Sequence, residues 1–236
     1  MFRMLMLAAG LCSYVSYSNA MNIEPFTHSF VPAEKTTQYT LQNKNDIAIA
    51  FEITICRRAY DLIGKESLTK DENSFVVFPT QVIIPAKSSR RIKVKWIGND
   101  EFQKNPKCEQ AYRVIFDQYY INLDEKQKKQ KGACLEVRLQ MIASLYMTPK
   151  GAVENLQVDN VKQISSSKFK VTLCNLGTKR AFAEQCKASA MFAGKRFNIA
   201  DVLNKKDYKE IIMAGSKREF EIDITIEVET KAGRQA

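Results

Sequence analysis

Histidine is nearly absent from this sequence: of 236 residues, only His28 carries an imidazole. A lone imidazole removes the common routes to acid–base catalysis and to a histidine-bearing metal site. No two cysteines have Cys-x-x-Cys spacing, which excludes a zinc ribbon and a thioredoxin-like redox centre. No Gly-x-Ser-x-Gly elbow is present either, so an enzyme is the least supported class and no cofactor or metal is expected. The formal charge of +10 invites a nucleic-acid reading. The aromatic-plus-glycine and Cys/His finger signatures of nucleic-acid modules are missing, however, and no nucleic-acid partner is expected.

Long apolar runs are also scarce. The one near the N-terminus, Leu5 to Val15, follows Arg3 and ends in Ser18-Asn19-Ala20, with small residues at the −3 and −1 positions of a cleavage site. This predicts a secretory signal peptide over residues 1–20, cut after Ala20. The run is shorter than the roughly 20 apolar residues a bilayer demands, and Ser13, Ser16 and Ser18 dilute it. The mature chain, 21–236, is therefore expected to be exported and soluble, with no membrane span. Losing Arg3 leaves 35 basic against 26 acidic residues, a balance that favours acidic partners or anionic membrane surfaces. Five cysteines remain, Cys56, Cys108, Cys134, Cys174 and Cys186. An odd number in an oxidising compartment predicts structural disulfides and one thiol left over.

What the mature chain does contain is alternation. In Ile47 to Ile55 the large apolar residues fall on every second position, one face of a strand. Shorter runs follow at Tyr39 to Leu41, Phe75 to Phe78, Val82 to Ile84, Arg91 to Trp96 and Tyr112 to Tyr120, separated by turn-forming or charged stretches. That spacing predicts a β-sandwich. Thr148-Pro149-Lys150-Gly151 interrupts the pattern, because proline cannot donate to a ladder and glycine loosens the backbone. It divides the mature chain into a domain over 21–147, a linker over 148–151 and a second β domain over 152–236. In the second domain, strands are expected at Val153 to Val161, Phe169 to Leu173, Ala188 to Phe192 and Phe220 to Val228, with a short helix over Ile199 to Tyr208.

The longest alternating run is Leu135 to Met147, with Leu135, Val137, Leu139, Met141, Ala143, Leu145 and Met147 on one face. At about 3.3 Å per residue it would span roughly 43 Å, more than a small sandwich covers. One end is thus expected to project and offer apolar side chains elsewhere. A charged loop, Asp124 to Gly132, precedes it.

The order Phe78-Pro79-Thr80-Gln81-Val82-Ile83-Ile84, Pro85-Ala86-Lys87-Ser88-Ser89-Arg90-Arg91-Ile92, Glu109-Gln110-Ala111-Tyr112-Arg113-Val114 and then a long alternating strand ending in proline resembles the periplasmic pilus-assembly (fimbrial) chaperones. The opening Pro25 to Phe30 fits the same pattern. The resemblance covers residues 22–150 and is weak beyond. It implies an all-β fold of two immunoglobulin-like sandwiches set at an angle with a cleft between them. It also implies a periplasmic location, pilin-like subunits as partners and an outer-membrane assembly platform as the recipient. The last strand of the first domain would complete a subunit's fold by donor-strand complementation, with Leu135, Val137, Leu139 and Met141 as donor residues. Arg91 and Glu109 would hold the domains in place.

Family members anchor the subunit's terminal carboxylate with an arginine and a lysine, and those places hold Thr27 and Ser144 here. Either neutral donors serve instead, or a basic residue such as Lys150 or Arg138 substitutes. Carried over from the same likeness, Cys56 and Cys108 would meet where two neighbouring strands end and begin. Because they share the second domain, Cys174 and Cys186 are expected to form a second pair, leaving Cys134 free. The alternative is an exported immunoglobulin-like adhesin or structural subunit in which residues 135–147 form an ordinary core strand.

Overall fold

The structure, a computed structural model, describes residues 21–99, 102, 104–119, 138–192, 195–203 and 210–223. The signal-peptide segment, the charged loop, Leu135, Val137 and Cys134 lie outside them. The first domain is built from ten strands: β1 (Met21–Glu24), β2 (Thr27–Phe30), β3 (Thr36–Asn43), β4 (Ile49–Tyr60), β5 (Glu66–Lys70), β6 (Phe75–Phe78), β7 (Gln81–Ile84), β8 (Ser89–Trp96), β9 (Gln110–Tyr119) and β10 (Gln140–Met147). One sheet runs β1-β3-β8-β6; the other runs β2-β10-β9-β4-β5, with β7 also pairing β4.

Alternation decides which side chains go inside. In β8, Ile92, Val94 and Trp96 are buried while Arg91, Lys93 and Lys95 face water. In β4, Ile49, Phe51, Ile53 and Ile55 join Tyr39, Phe116, Leu145 and Met147 in the core between the sheets. Each such side chain stabilises the fold by roughly 1.5–3 kcal/mol relative to exposure. Two expectations are corrected here. Ile47 is 65% exposed and lies before β4 rather than in it, and β4 continues past Cys56 to Tyr60.

The second domain begins after an irregular stretch from Thr148 to Asn155. Its strands are β11 (Leu156–Gln163), β12 (Lys168–Asn175), β13 (Ala181–Phe182), β14 (Ser189–Phe192), β15 (Lys195–Asn198), β16 (Ile211–Ile212) and β17 (Lys217–Asp223), with a helix α1 over Ile199–Leu203. They form a sheet β11-β12-β17 and the pairs β13-β16 and β14-β15 around a second, smaller core that includes Val171, Leu173, Leu203 and Phe220. Val153 is not in a strand, because its carbonyl accepts from the Thr178 and Lys179 N–H groups of a turn.

Both domains close one end with a buried asparagine. The Asn43 amide donates to the carbonyls of Ile47, Ile84 and Pro85, and its oxygen accepts from the Asn45 N–H. At the end of β12, the Asn175 amide donates to Lys179 and Ile212, and its oxygen accepts from the Gly177 and Asn155 N–H groups.

The disulfides read from the sequence are not formed: Cys56, Cys108, Cys174 and Cys186 are all free. Cys56 lies in mid-strand opposite Arg113 of β9. Cys108 precedes that strand, on the order of 15 Å further along at about 3.3 Å per residue, beyond the reach of a bridge. Burial pushes the Cys56 thiol above its ordinary range, with Lys70 opposing. Cys174 alternates with Leu173 and so faces away from the core that encloses Cys186.

Candidate functional site

Strand β10 has two unlike halves. Toward its end, Ser144, Leu145, Tyr146 and Met147 pair in parallel with Thr27, His28, Ser29 and Phe30 of β2, while β9 covers the other edge along the whole strand. The Ser144 N–H also donates to the Phe26 carbonyl at 2.8 Å. Upstream, among the described residues, no strand lies beside Gln140 to Ala143 on the β2 side, so that edge has backbone groups open to a partner. The apolar face changes at the same place. Ala143, Leu145 and Met147 are fully buried, Met141 is half-buried, and Leu139 is 36% exposed. On the opposite face Ile142 is also exposed. An open edge next to protruding apolar side chains is the geometry that accepts an added strand.

Thr27 and Ser144, called to one place by the likeness, are register partners across β2 and β10. Neither proposed basic substitute joins them. The Arg138 guanidinium donates to the Gln118 carbonyl at the far end of the strand, and Lys150 is exposed in the turn after it. The guanidinium that does stand beside them belongs to Arg113, the register partner of Ser144 on β9. Its Nη1 donates to Ser144 Oγ at 2.6 Å, and Nε and Nη2 donate to the two oxygens of Glu66 at 2.8 and 3.2 Å. Glu66 is also ion-paired with Arg58 Nε, though without hydrogen-bond alignment. Arg58, the register partner of Leu68 on β5, reaches the Tyr146 hydroxyl at 2.7 Å and the Tyr60 hydroxyl.

From Tyr146 the network crosses to the second domain. The Arg180 guanidinium sits 3.6 Å from the Tyr146 ring centre, a cation–π contact. It is ion-paired to Glu109 at 2.5 Å and donates to Ser29 Oγ at 3.1 Å. Glu109 is only 2% exposed and accepts further from the Arg180 N–H and the Thr148 hydroxyl. Arg91, by contrast, is exposed on β8 opposite Thr40, on the sheet that faces away from this network. The domains also touch through the β4–β5 hairpin, whose Leu62 carbonyl accepts from the Glu219 N–H at 2.7 Å. Gly64, at φ +86°, passes beneath Arg218, where any Cβ would overlap the guanidinium. Arg218 is held by Glu210, the Ile211 carbonyl and the Tyr60 ring.

The chain Arg113–Glu66–Arg58 and Arg180–Glu109 thus contains three guanidiniums and two carboxylates, one positive charge in excess. Sequence reasoning passed over Arg113, Arg58, Glu66 and Arg180. The available signal was an arginine at an outward-facing position of two strands whose inward positions are mostly apolar.

Fold and site together define a two-domain, immunoglobulin-like β-sandwich protein whose strand β10 has, among the described residues, an edge without a strand partner from Gln140 to Ala143. No protein-family model matches the chain, and no curated protein matches it. Solved structures do. A chain of the CsuC–CsuE chaperone–tip subunit pre-assembly complex from the archaic chaperone–usher Csu pili of Acinetobacter baumannii is similar with a TM-score of 0.57 and 16% identity, over 85% of this chain and 89% of that one. The class 5 fimbriae chaperone CfaA is similar with a TM-score of 0.54 and 17% identity, over 84% and 83%. A chain of the Salmonella enterica SafA pilin–SafB chaperone complex gives 0.54 and 11%, over 86% and 83%. The fold of this chain is that of the fimbrial chaperones.

Proposed function

We propose that this protein is a periplasmic chaperone for pilin-like subunits, exported by a signal peptide cleaved after Ala20, that binds its client by strand addition and hands it to an assembly platform in the outer membrane. The observation that carries the reading is the open edge of Gln140 to Ala143 beside an apolar face whose exposure rises toward Leu139. The client's strand adds there, so backbone bonds supply affinity and Leu135, Val137, Leu139 and Met141 supply selectivity by filling its pockets. The client's terminal carboxylate docks on Arg113 beside Ser144 and Thr27. A single negative charge there neutralises the excess positive charge of the network, and a guanidinium is suited to carboxylate geometry.

Co-expression with secreted β-sandwich subunits, followed by pull-down, tests this. The double variant Leu135→Ser with Leu139→Ser is expected to keep the parent's melting temperature and lose the client. Unfolding of the free variant, or client capture equal to the parent's, rules out strand donation by these residues. Arg113→Gln is expected to weaken capture of a subunit with a free terminal carboxylate more than capture of a subunit extended by several residues.

A further inference from the structure

We infer that Glu66 is a built-in stand-in for the client's carboxylate: it occupies Arg113 in the client-free protein and yields that place on binding while remaining on Arg58. The inference rests on the reading of Arg113 as the client anchor. Glu66 begins β5, yet its carboxylate reaches across β4 to grip the side edge of the Arg113 guanidinium with both oxygens. Of the three charged groups it is the one free to move. Arg58 is 3% exposed and tied to two tyrosine hydroxyls, and Arg113 is tied to Ser144, whereas the Glu66 side chain is 30% exposed.

Before binding, one carboxylate serves two guanidiniums. After binding, each guanidinium has one carboxylate, and the exchange leaves no buried charge unpaired. The resident group keeps Arg113 extended toward the cleft and lowers its attraction for stray anions, so an anion without the added strand's backbone bonds competes poorly. Glu66 also makes, with Tyr60, the last ladder pair before the turn whose Leu62 carbonyl holds β17 of the second domain. Its release therefore acts on the contact between the domains as well as on the anchor.

The test uses the full mature chain, labelled with 15N, and acetate as the probe at constant ionic strength, read at the Arg113 Nε–H resonance. Removing one opposing charge at this range is expected to make acetate bind about tenfold more tightly to Glu66→Gln than to the parent. Glu66→Asp, which keeps the charge but shortens its reach, should fall between them and guards against a folding defect in the first variant. If acetate shifts the resonance in the parent but Glu66→Gln binds it equally or less well, Glu66 only positions Arg113 and the stand-in role is wrong while the anchor survives. If acetate leaves Arg113 unmoved in the parent and in both variants, the anchor reading fails and the stand-in role falls with it.

Discussion

The two halves of β10 share one sequence pattern and have opposite fates. From Ser144 to Met147 the strand is sealed by β2 on one edge and β9 on the other, and its inward side chains are fully buried. From Gln140 to Ala143 the β9 edge is paired, the other has no strand beside it among the described residues, and the inward face runs from buried Ala143 through half-buried Met141 toward exposed Leu139. Alternation of apolar residues thus sets which face a strand presents to its core, while the length of the neighbouring strand sets where the core ends. Here β2 is only four residues long, and that brevity leaves the upstream edge without a strand partner among the described residues.

Truncation should separate the halves most widely. Leu145→Ala, in the sealed half, is expected to cost about 2–5 kcal/mol in denaturant unfolding. Next comes the register partner of Leu145, Tyr112, whose phenol burial pushes up to about 12, with Ser74 and Asn99 opposing. Its folded value lies above the unfolded value near 10, so this contribution is complete below about pH 10 and is lost as pH rises toward 12. Tyr39, higher still because of its burial, acts in the same direction. Alkaline titration of stability should therefore show a decline beginning near pH 10 that is smaller in Tyr112→Phe; an identical decline would break the link to the sealed half. Tyr146→Phe removes one of the two hydroxyl acceptors of buried Arg58 and is expected to cost about 1–3 kcal/mol. Leu139→Ser, in the open half, should change stability by no more than about 0.5 kcal/mol. A cost there equal to that of Leu145→Ala would mean the two halves are alike.

Much of this contrast is legible in the sequence. Leu135 to Met147 alternates without a break, and proline follows it, so the strand and its inward face can be read directly. The arginines of the cleft cannot be read that way. Arg113 belongs to Ala111-Tyr112-Arg113-Val114, a run in which it looks like any outward-facing charge. Its meaning comes from standing opposite Ser144 on one side and within reach of Glu66 on the other, and cross-strand register is not encoded in local pattern. The disulfides failed for the same reason. Cys56 looked like the end of a strand because the apolar alternation stops there, but β4 continues through Arg57, Arg58 and Tyr60. Its outward positions are occupied by the polar groups of the cleft. The second domain was less legible, because Val153 satisfies a turn's donors through its backbone and takes no part in a strand.

The pairing of β2 with β10 also bears on the order in which the first domain folds. Thr27 meets Ser144 and Phe30 meets Met147, so nearly the whole domain lies between the two partners of that ladder. The early strand has nothing to pair with on that side until the late one has been made. Contacts of such long sequence separation form slowly, because loop-closure entropy must be overcome before they contribute. The domain therefore acquires its last edge late, and until then β10 waits with its outer backbone uncovered, a stage at which added protease should cut preferentially within residues 140–147.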